Sequence, residues 1–120
     1  MRVKDAVGRY GEQVAVAHLE SAGLEVLERN WRCREGELDA IARDGTTIVF
    51  VEVKTRSSTL YGTPAEAVTR AKLARLRRLS MLWLAAHPEA HGASAVRFDV
   101  VSVLRRRDTL PLVEHLRGVS

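Results

Sequence analysis

Glu52 and Lys54 close an otherwise apolar run, Ile48-Val49-Phe50-Val51-Glu52-Val53-Lys54. Side chains alternate along a strand, so this carboxylate and ammonium share a face. Such a pair can be a plain ion pair. It can also be catalytic, with the carboxylate holding a metal and the ammonium steadying a scissile group. The neighbours bear on the choice. Glu37 and Asp39 stand in the preceding strand-like run, and Asp44-Gly45 between the two runs is a strong hairpin signal, because both turn positions need positive φ. Taken as a two-residue loop, Asp44-Gly45 pairs Arg43 with Thr46, Ile41 with Ile48, Asp39 with Phe50 and Glu37 with Glu52. Glu37, Asp39, Glu52 and Lys54 then point to one face, with Asp39 diagonal to Glu52 at about 7–8 Å. One lysine does not neutralise three carboxylates on a half-buried face. A divalent cation would, and an all-oxygen donor set suits Mg²⁺ or Mn²⁺. A one-residue slip would move one strand's set to the other face.

The elements that must position these residues are a helix, three strands, a helix and one or two further strands. Residues from about Asp5 to Ala22 read as the first helix, with Val7, Tyr10, Gly11, Val14, Ala17 and His18 as its packed stripe and Gly23 as its stop. Glu12 falls off that stripe, yet Val16 and Leu19 lie at i+4 and i+7 from it. It reads as a solvated glutamate or as one bordering a second apolar patch. His18 reads as a core or rim histidine. Leu24–Leu27 is a short first strand, Trp31–Gly36 a loop, Glu37–Arg43 and Thr46–Thr55 the hairpin. The second helix runs from Pro64, capped by Thr63, to Ala86 before Pro88. Its buried stripe is Val68, Leu76, Leu79, Trp83 and Ala86, with Lys72 in mid-stripe, where a lysine must snorkel out or meet an anion. His87–Ser94 reads as a loop, Val96–Leu104 as a strand with Asp99 beside Arg97, and Pro111–Leu116 as a last short strand. No repeat or low-complexity segment interrupts the chain.

Several basic residues lie where a polyanion could be gripped. Arg32 and Arg34 flank Cys33 next to Trp31, a setting for phosphate contact and base stacking or simply for a solvated loop. Arg56 follows Lys54, and Lys72 and Arg75 lie toward the buried side of the second helix. The net charge of +4 and a pI near 9.8 favour nucleic acid as a partner. At 120 residues, 46% hydrophobic and 28% charged, one globular domain is expected, with a core over about residues 5–104 and a short C-terminal extension. The single cysteine, Cys33, permits no intramolecular disulfide and argues against a Cys-rich zinc site. With neither a secretory signal nor a membrane-length apolar run, the expected location is the cytoplasm, with no membrane partner.

The ordered motifs Gly8-Arg9-Tyr10-Gly11-Glu12, Gly36-Glu37-Leu38-Asp39-Ala40-Ile41-Ala42, Val49-Phe50-Val51-Glu52-Val53-Lys54-Thr55-Arg56, Lys72 and Arg97-Phe98-Asp99-Val100-Val101 span nearly the whole chain. Each alone is weak; the set resembles the YraN-type family. That family is similar to archaeal Holliday-junction resolvases within the PD-(D/E)-x-K restriction-endonuclease-like superfamily. The resemblance implies an α/β fold, a single-domain restriction-endonuclease-like sandwich with a central mixed sheet flanked by helices. It implies that Asp39 and Glu52 bind Mg²⁺ (or Mn²⁺), that Glu12 completes the metal site, and that Lys54 orients the attacking water or steadies the phosphate. Lys72 resembles a helix residue near the phosphate. Leu38 stands where the superfamily's nominal proline would be. Glu37 belongs to the motif without an implied role. The activity implied is metal-dependent endonucleolytic hydrolysis of DNA phosphodiesters, branched DNA included, with a homodimer as a frequent assembly; the candidate nucleic-acid contacts among the basic residues are Arg32, Arg34, Arg56, Lys72 and Arg75. DNA is favoured over RNA. The alternative is a non-catalytic nucleic-acid-binding or assembly module that retains the nuclease fold.

Overall fold

The structure, a computed structural model, describes residues 6–57, 68–90, 92–93 and 95–119. Helix α1 (Ala6–Ser21) stops where glycine allows it to. Gly23 takes φ 91, its N–H donates to the Glu20 carbonyl at 3.0 Å, and the Leu24 N–H donates to the Leu19 carbonyl at 3.0 Å. Leu19 and Leu24 are buried together, which completes the apolar contact of this helix-terminating motif. The inward face of α1 is Gly11, Glu12, Ala15 and Leu19. It is thus rotated from the expected stripe: Ala17 is exposed, and Glu12 is a buried residue, not a solvated one.

Strands β1 (Glu25–Cys33), β2 (Gly36–Asp44), β3 (Thr47–Arg56), β4 (Ala95–Leu104) and β5 (Leu112–Leu116) form one sheet in that order. Only the β3–β4 pair is parallel; the other three are antiparallel. Trp31–Cys33 belongs to β1, not to a loop, because Trp31 and Cys33 pack into the core while Arg32 between them faces away. Helix α2 (Arg70–Ala86) joins the parallel strands. It begins at Arg70, not Pro64. Thr69, extended at φ −92 and ψ 160, caps it with a hydroxyl that accepts the Lys72 N–H at 3.1 Å. Thr63 and Thr69 offer the same capping chemistry, so composition does not rank them; Thr63 and Pro64 lie outside the described residues. The buried face of α2 is Leu73, Leu76, Leu79, Ser80 and Trp83; Ala86 is exposed and Lys72 sits half-buried at the border.

The two helices cover opposite faces. Ala15 and Leu19 of α1 pack on Ala40, Ala42, Val49, Val51, Val101 and Val103. Leu76, Leu79 and Trp83 of α2 pack on Leu38, Ile41, Ile48 and Phe50. This is an α/β fold with a mixed sheet between helices, consistent with a restriction-endonuclease-like sandwich. No helix among the described residues is long and apolar enough to cross a membrane.

The hairpin register differs from the expected one. Asp44 pairs with Thr47, Ile41 with Phe50 and Ala40 with Val51, so the turn residues are Gly45 and Thr46. Only Gly45 of the two has positive φ, 62, the arrangement with glycine first in a two-residue turn. Asp44 stays in the strand, where its carboxylate accepts from Arg97 at 2.9 Å. The displacement is two residues, so it keeps the strand faces and brings Asp39 level with Glu52.

Candidate metal centre

Glu12, Glu37 and Asp39 each offer a carboxylate oxygen, and the three oxygens lie within 4.8 Å of one another. Glycine brings α1 close enough for this. A Cβ on Gly11 would stand 1.7 Å from the Thr55 hydroxyl oxygen, so the helix backbone rests directly on β3. The next residue, Glu12, is carried in beside the strands and is 5% exposed. The Glu37 side chain is 8% exposed and takes an ion pair from Arg32 at 2.6 Å. Asp39 accepts the backbone N–H of Val53 at 2.8 Å where the β2–β3 ladder ends.

Glu37 reaches Glu12 because the pleat reverses at this level in two strands together. Ala40 and Ala42 face α1, yet Leu38 faces α2 with Ile41. Across the ladder, Arg29 pairs with Ala40 and Trp31 with Leu38, so the reversal lies at Asn30 and Asp39, opposite each other. Asn30 has φ 53, a left-handed conformation that reverses the alternation. Uniform alternation therefore placed Glu37, Asp39, Glu52 and Lys54 on one face, whereas Glu37 turns to the α1 side. The signal for this is Asn30 itself, between the expected strand Leu24–Leu27 and the expected loop Trp31–Gly36, since asparagine is the residue other than glycine most tolerant of that conformation.

Glu52 is not in the group of three. It lies on the α2 side, 3.2 Å from Arg75. Lys54 and Lys72 meet there as well. Hydrogen bonding with Lys54, then burial, then the charge of Lys54 push the Lys72 ammonium below its usual range, while Glu52 pulls the other way. The remaining candidate cations are dispersed. Arg56 donates to the Ser102 hydroxyl at 3.4 Å, and Arg34 is exposed in the β1–β2 turn. Thus Glu12 and Asp39 are brought together with Glu37, and Glu52 and Lys54 of β3 gather with Lys72 and Arg75 of α2.

A second polar cluster was largely missed. Asp99, 0% exposed, accepts from Arg97 at 2.9 and 3.1 Å, from His115 at 2.7 Å and from the Gly118 N–H at 3.0 Å. His115 in turn lies 3.1 Å from His18, ring nitrogen to ring nitrogen. His18 is half-buried at the rim, as expected, but its partner comes from β5, 97 residues away, a pairing that no local spacing announces. His87 is stacked on Trp83 with ring centroids 4.1 Å apart.

The profile of "Uncharacterised protein family UPF0102" matches residues 11–103 of this chain. Among curated proteins, the UPF0102 protein of Beutenbergia cavernae is 67% identical over 120 residues, covering 100% of both chains. A UPF0102 protein of Frankia casuarinae is 58% identical over 118 residues, 98% of each chain, and one of Kineococcus radiotolerans is 57% identical over 120 residues, 100% of this chain and 98% of the other. With a match over most of its length and relatives aligned end to end, this chain belongs to the uncharacterised protein family UPF0102, the YraN-type family whose motifs it carries.

Proposed function

We propose that the protein is a divalent-metal-dependent endonuclease that hydrolyses DNA phosphodiester bonds, with branched DNA as a candidate substrate. The observation that carries this reading is the meeting of Glu12, Glu37 and Asp39 within 4.8 Å. The donor set fits the ion: it is all oxygen, one carboxylate from α1 and two from β2, and hard cations such as Mg²⁺ and Mn²⁺ take oxygen ligands. Three like charges at this spacing repel one another in a site where Glu12 is 5% exposed, and a divalent cation relieves that repulsion. Glu12, Glu37 and Asp39 would hold it. Such an ion, when bound, lowers the pKa of water and offsets charge developing on phosphate.

The chain's own residues supply the rest. Lys54 and Lys72 meet at the α2 side of β3, away from the three acids, and would add positive charge for a DNA phosphate lying on that side. Arg75 holds Glu52 at 3.2 Å, which keeps that carboxylate oriented beside the two lysines. Exposed arginines such as Arg34 would follow the DNA backbone, so affinity falls steeply with salt. A second reading, a binding module without turnover, is favoured by the internal pairing of Glu37 with Arg32 and of Glu52 with Arg75.

Calorimetric titration with Mn²⁺, followed by cleavage assays on branched and linear DNA, separates the two. The endonuclease reading expects Mn²⁺ binding that Asp39→Asn and Glu12→Gln weaken at least tenfold, and cleavage that a chelator abolishes. Chelator-insensitive DNA binding with no cleavage and no metal uptake would establish the binding module instead.

A further inference from the structure

We propose that the side-chain carbonyl of Asn30 is a fourth oxygen donor to this site, a neutral ligand added to Glu12, Glu37 and Asp39. The proposal rests on the metal-site reading above. Three observations point to it. Asn30 stands in the middle of β1 with φ 53, a conformation uncommon for a non-glycine residue in a strand. Its Oδ1 is buried and accepts no hydrogen bond among the described residues. Its position is fixed opposite Asp39 by the flanking pairs Arg29 with Ala40 and Trp31 with Leu38.

A left-handed backbone alone would be served as well by glycine, which carries no carbonyl to bury. Burying an amide oxygen without a donor is unfavourable, and such groups in native structures call for a cause. Hard cations take Asn carbonyl oxygens readily alongside carboxylates. A neutral donor is also the appropriate addition here, since the site already collects three carboxylates.

The test is calorimetric Mn²⁺ titration of the full chain and of Asn30→Gly and Asn30→Asp, with thermal unfolding of each. Glycine adopts positive φ freely, so Asn30→Gly is expected to keep the unfolding midpoint and lose roughly tenfold or more in Mn²⁺ affinity, the scale of losses around metal sites. Asn30→Asp, which restores an oxygen at that position, is expected to bind at least as tightly as the parent. A folded Asn30→Gly protein with parental affinity would overturn the proposal and leave the three-carboxylate site standing. If glycine loosens the strand, a folded Asn30→Asp protein that binds more weakly than the parent would overturn it equally. Absence of Mn²⁺ binding by the parent itself would remove both this proposal and the metal-site reading.

Discussion

Two acidic sites, the buried Asp99 and the partly buried group of Glu12, Glu37 and Asp39, are built on different principles. Asp99 is one carboxylate met by matched donors: the Arg97 guanidinium on both oxygens, the His115 ring and the Gly118 N–H. Burial alone would lift its pKa, but hydrogen bonds from Arg97, Gly118 and His115 outweigh burial and hold it below the ordinary carboxylate value. The network also ties chain segments together, since Arg97 reaches Asp44 at the β2–β3 turn at 2.9 Å and His115 reaches His18 on α1 at 3.1 Å. The other group brings Glu12, Glu37 and Asp39 toward one another, with Arg32 on Glu37 and the Val53 N–H on Asp39 as partners of two of them. An anion surrounded by its own chain's donors ties segments of the fold together, whereas acids gathered on one another are the proposed place for a cation. Two motifs of comparable prominence in the sequence, around Asp39 and around Asp99, thereby separate into a candidate site and a structural clasp.

The largest expected effect is therefore on stability at Asp99. Asp99→Ala leaves Arg97 and His115 facing a buried void and should cost about 3–5 kcal/mol, the scale for breaking a buried charge pair from one side. Asp39→Asn should leave stability near the parent value or raise it, because it removes one of three mutually repelling charges. Urea unfolding of the two variants side by side checks the contrast. Equal destabilisation by both would dissolve the distinction and make the Asp39 group a second structural network.

The elements were legible where periodicity and turn chemistry are local. The apolar run Ile48–Val51 announced a doubly covered strand, Gly23 announced the end of α1, and Asp44-Gly45 announced a hairpin. What was not legible depended on partners far away in sequence. The turn lies one residue further on because Arg97, in β4, holds Asp44 within the strand. The helix start at Thr69 had a chemically equal competitor in Thr63. For the site, Glu12 and Asp39 were identified with their neighbours, but Glu37 arrives beside them only because Asn30 reverses the pleat. A period-two argument has no means of registering one left-handed residue, although the presence of asparagine there is its visible trace. Glu52 had the same apparent standing as Asp39, but it keeps the α2 face that Phe50 shares and meets Arg75 there, while Glu37 turns to the α1 side.

An intermediate effect is expected at Gly11, which sharpens the comparison from the α1 side. A Cβ there would meet the Thr55 side chain at 1.7 Å, so α1 must shift away from β3. Gly11→Ala should cost about 1–3 kcal/mol, the scale for overpacking. It should also weaken Mn²⁺ binding, since Glu12 rides on the displaced turn. The Asp99 clasp lies further along the helix, at His18, and should persist; the His18–His115 contact can be followed by imidazole NMR shifts. Thr55→Gly removes the clashing atoms and should recover Mn²⁺ binding in the double variant. Unchanged stability and unchanged Mn²⁺ affinity in Gly11→Ala would mean that the close approach at Thr55 does not position Glu12.

The smallest effect is expected from pH, and it acts on the clasp. Burial first, then the charges of His115 and Arg117, lower the His18 pKa from its ordinary 6.5. The unfolded chain then binds the proton more readily than the folded one, so stability rises with pH across that interval. The His18 contribution is fully present above 6.5 and is lost as pH falls through the depressed folded value. Asp99, also lowered, adds a separate acid limb: its contribution is present above its ordinary 3.8 and disappears only below that. Urea unfolding from about pH 7.5 to about pH 5, which brackets the ordinary histidine value, should show a gentle loss of stability on acidification. His18→Gln should flatten it. A parent protein whose stability is level across this range, or a His18→Gln protein with the parental slope, would place the proton-linked part of the clasp elsewhere. The groups acting on His18 are His115 of β5 and Arg117 after it, which connect onward to Asp99 and to Asp44, and through both to Arg97.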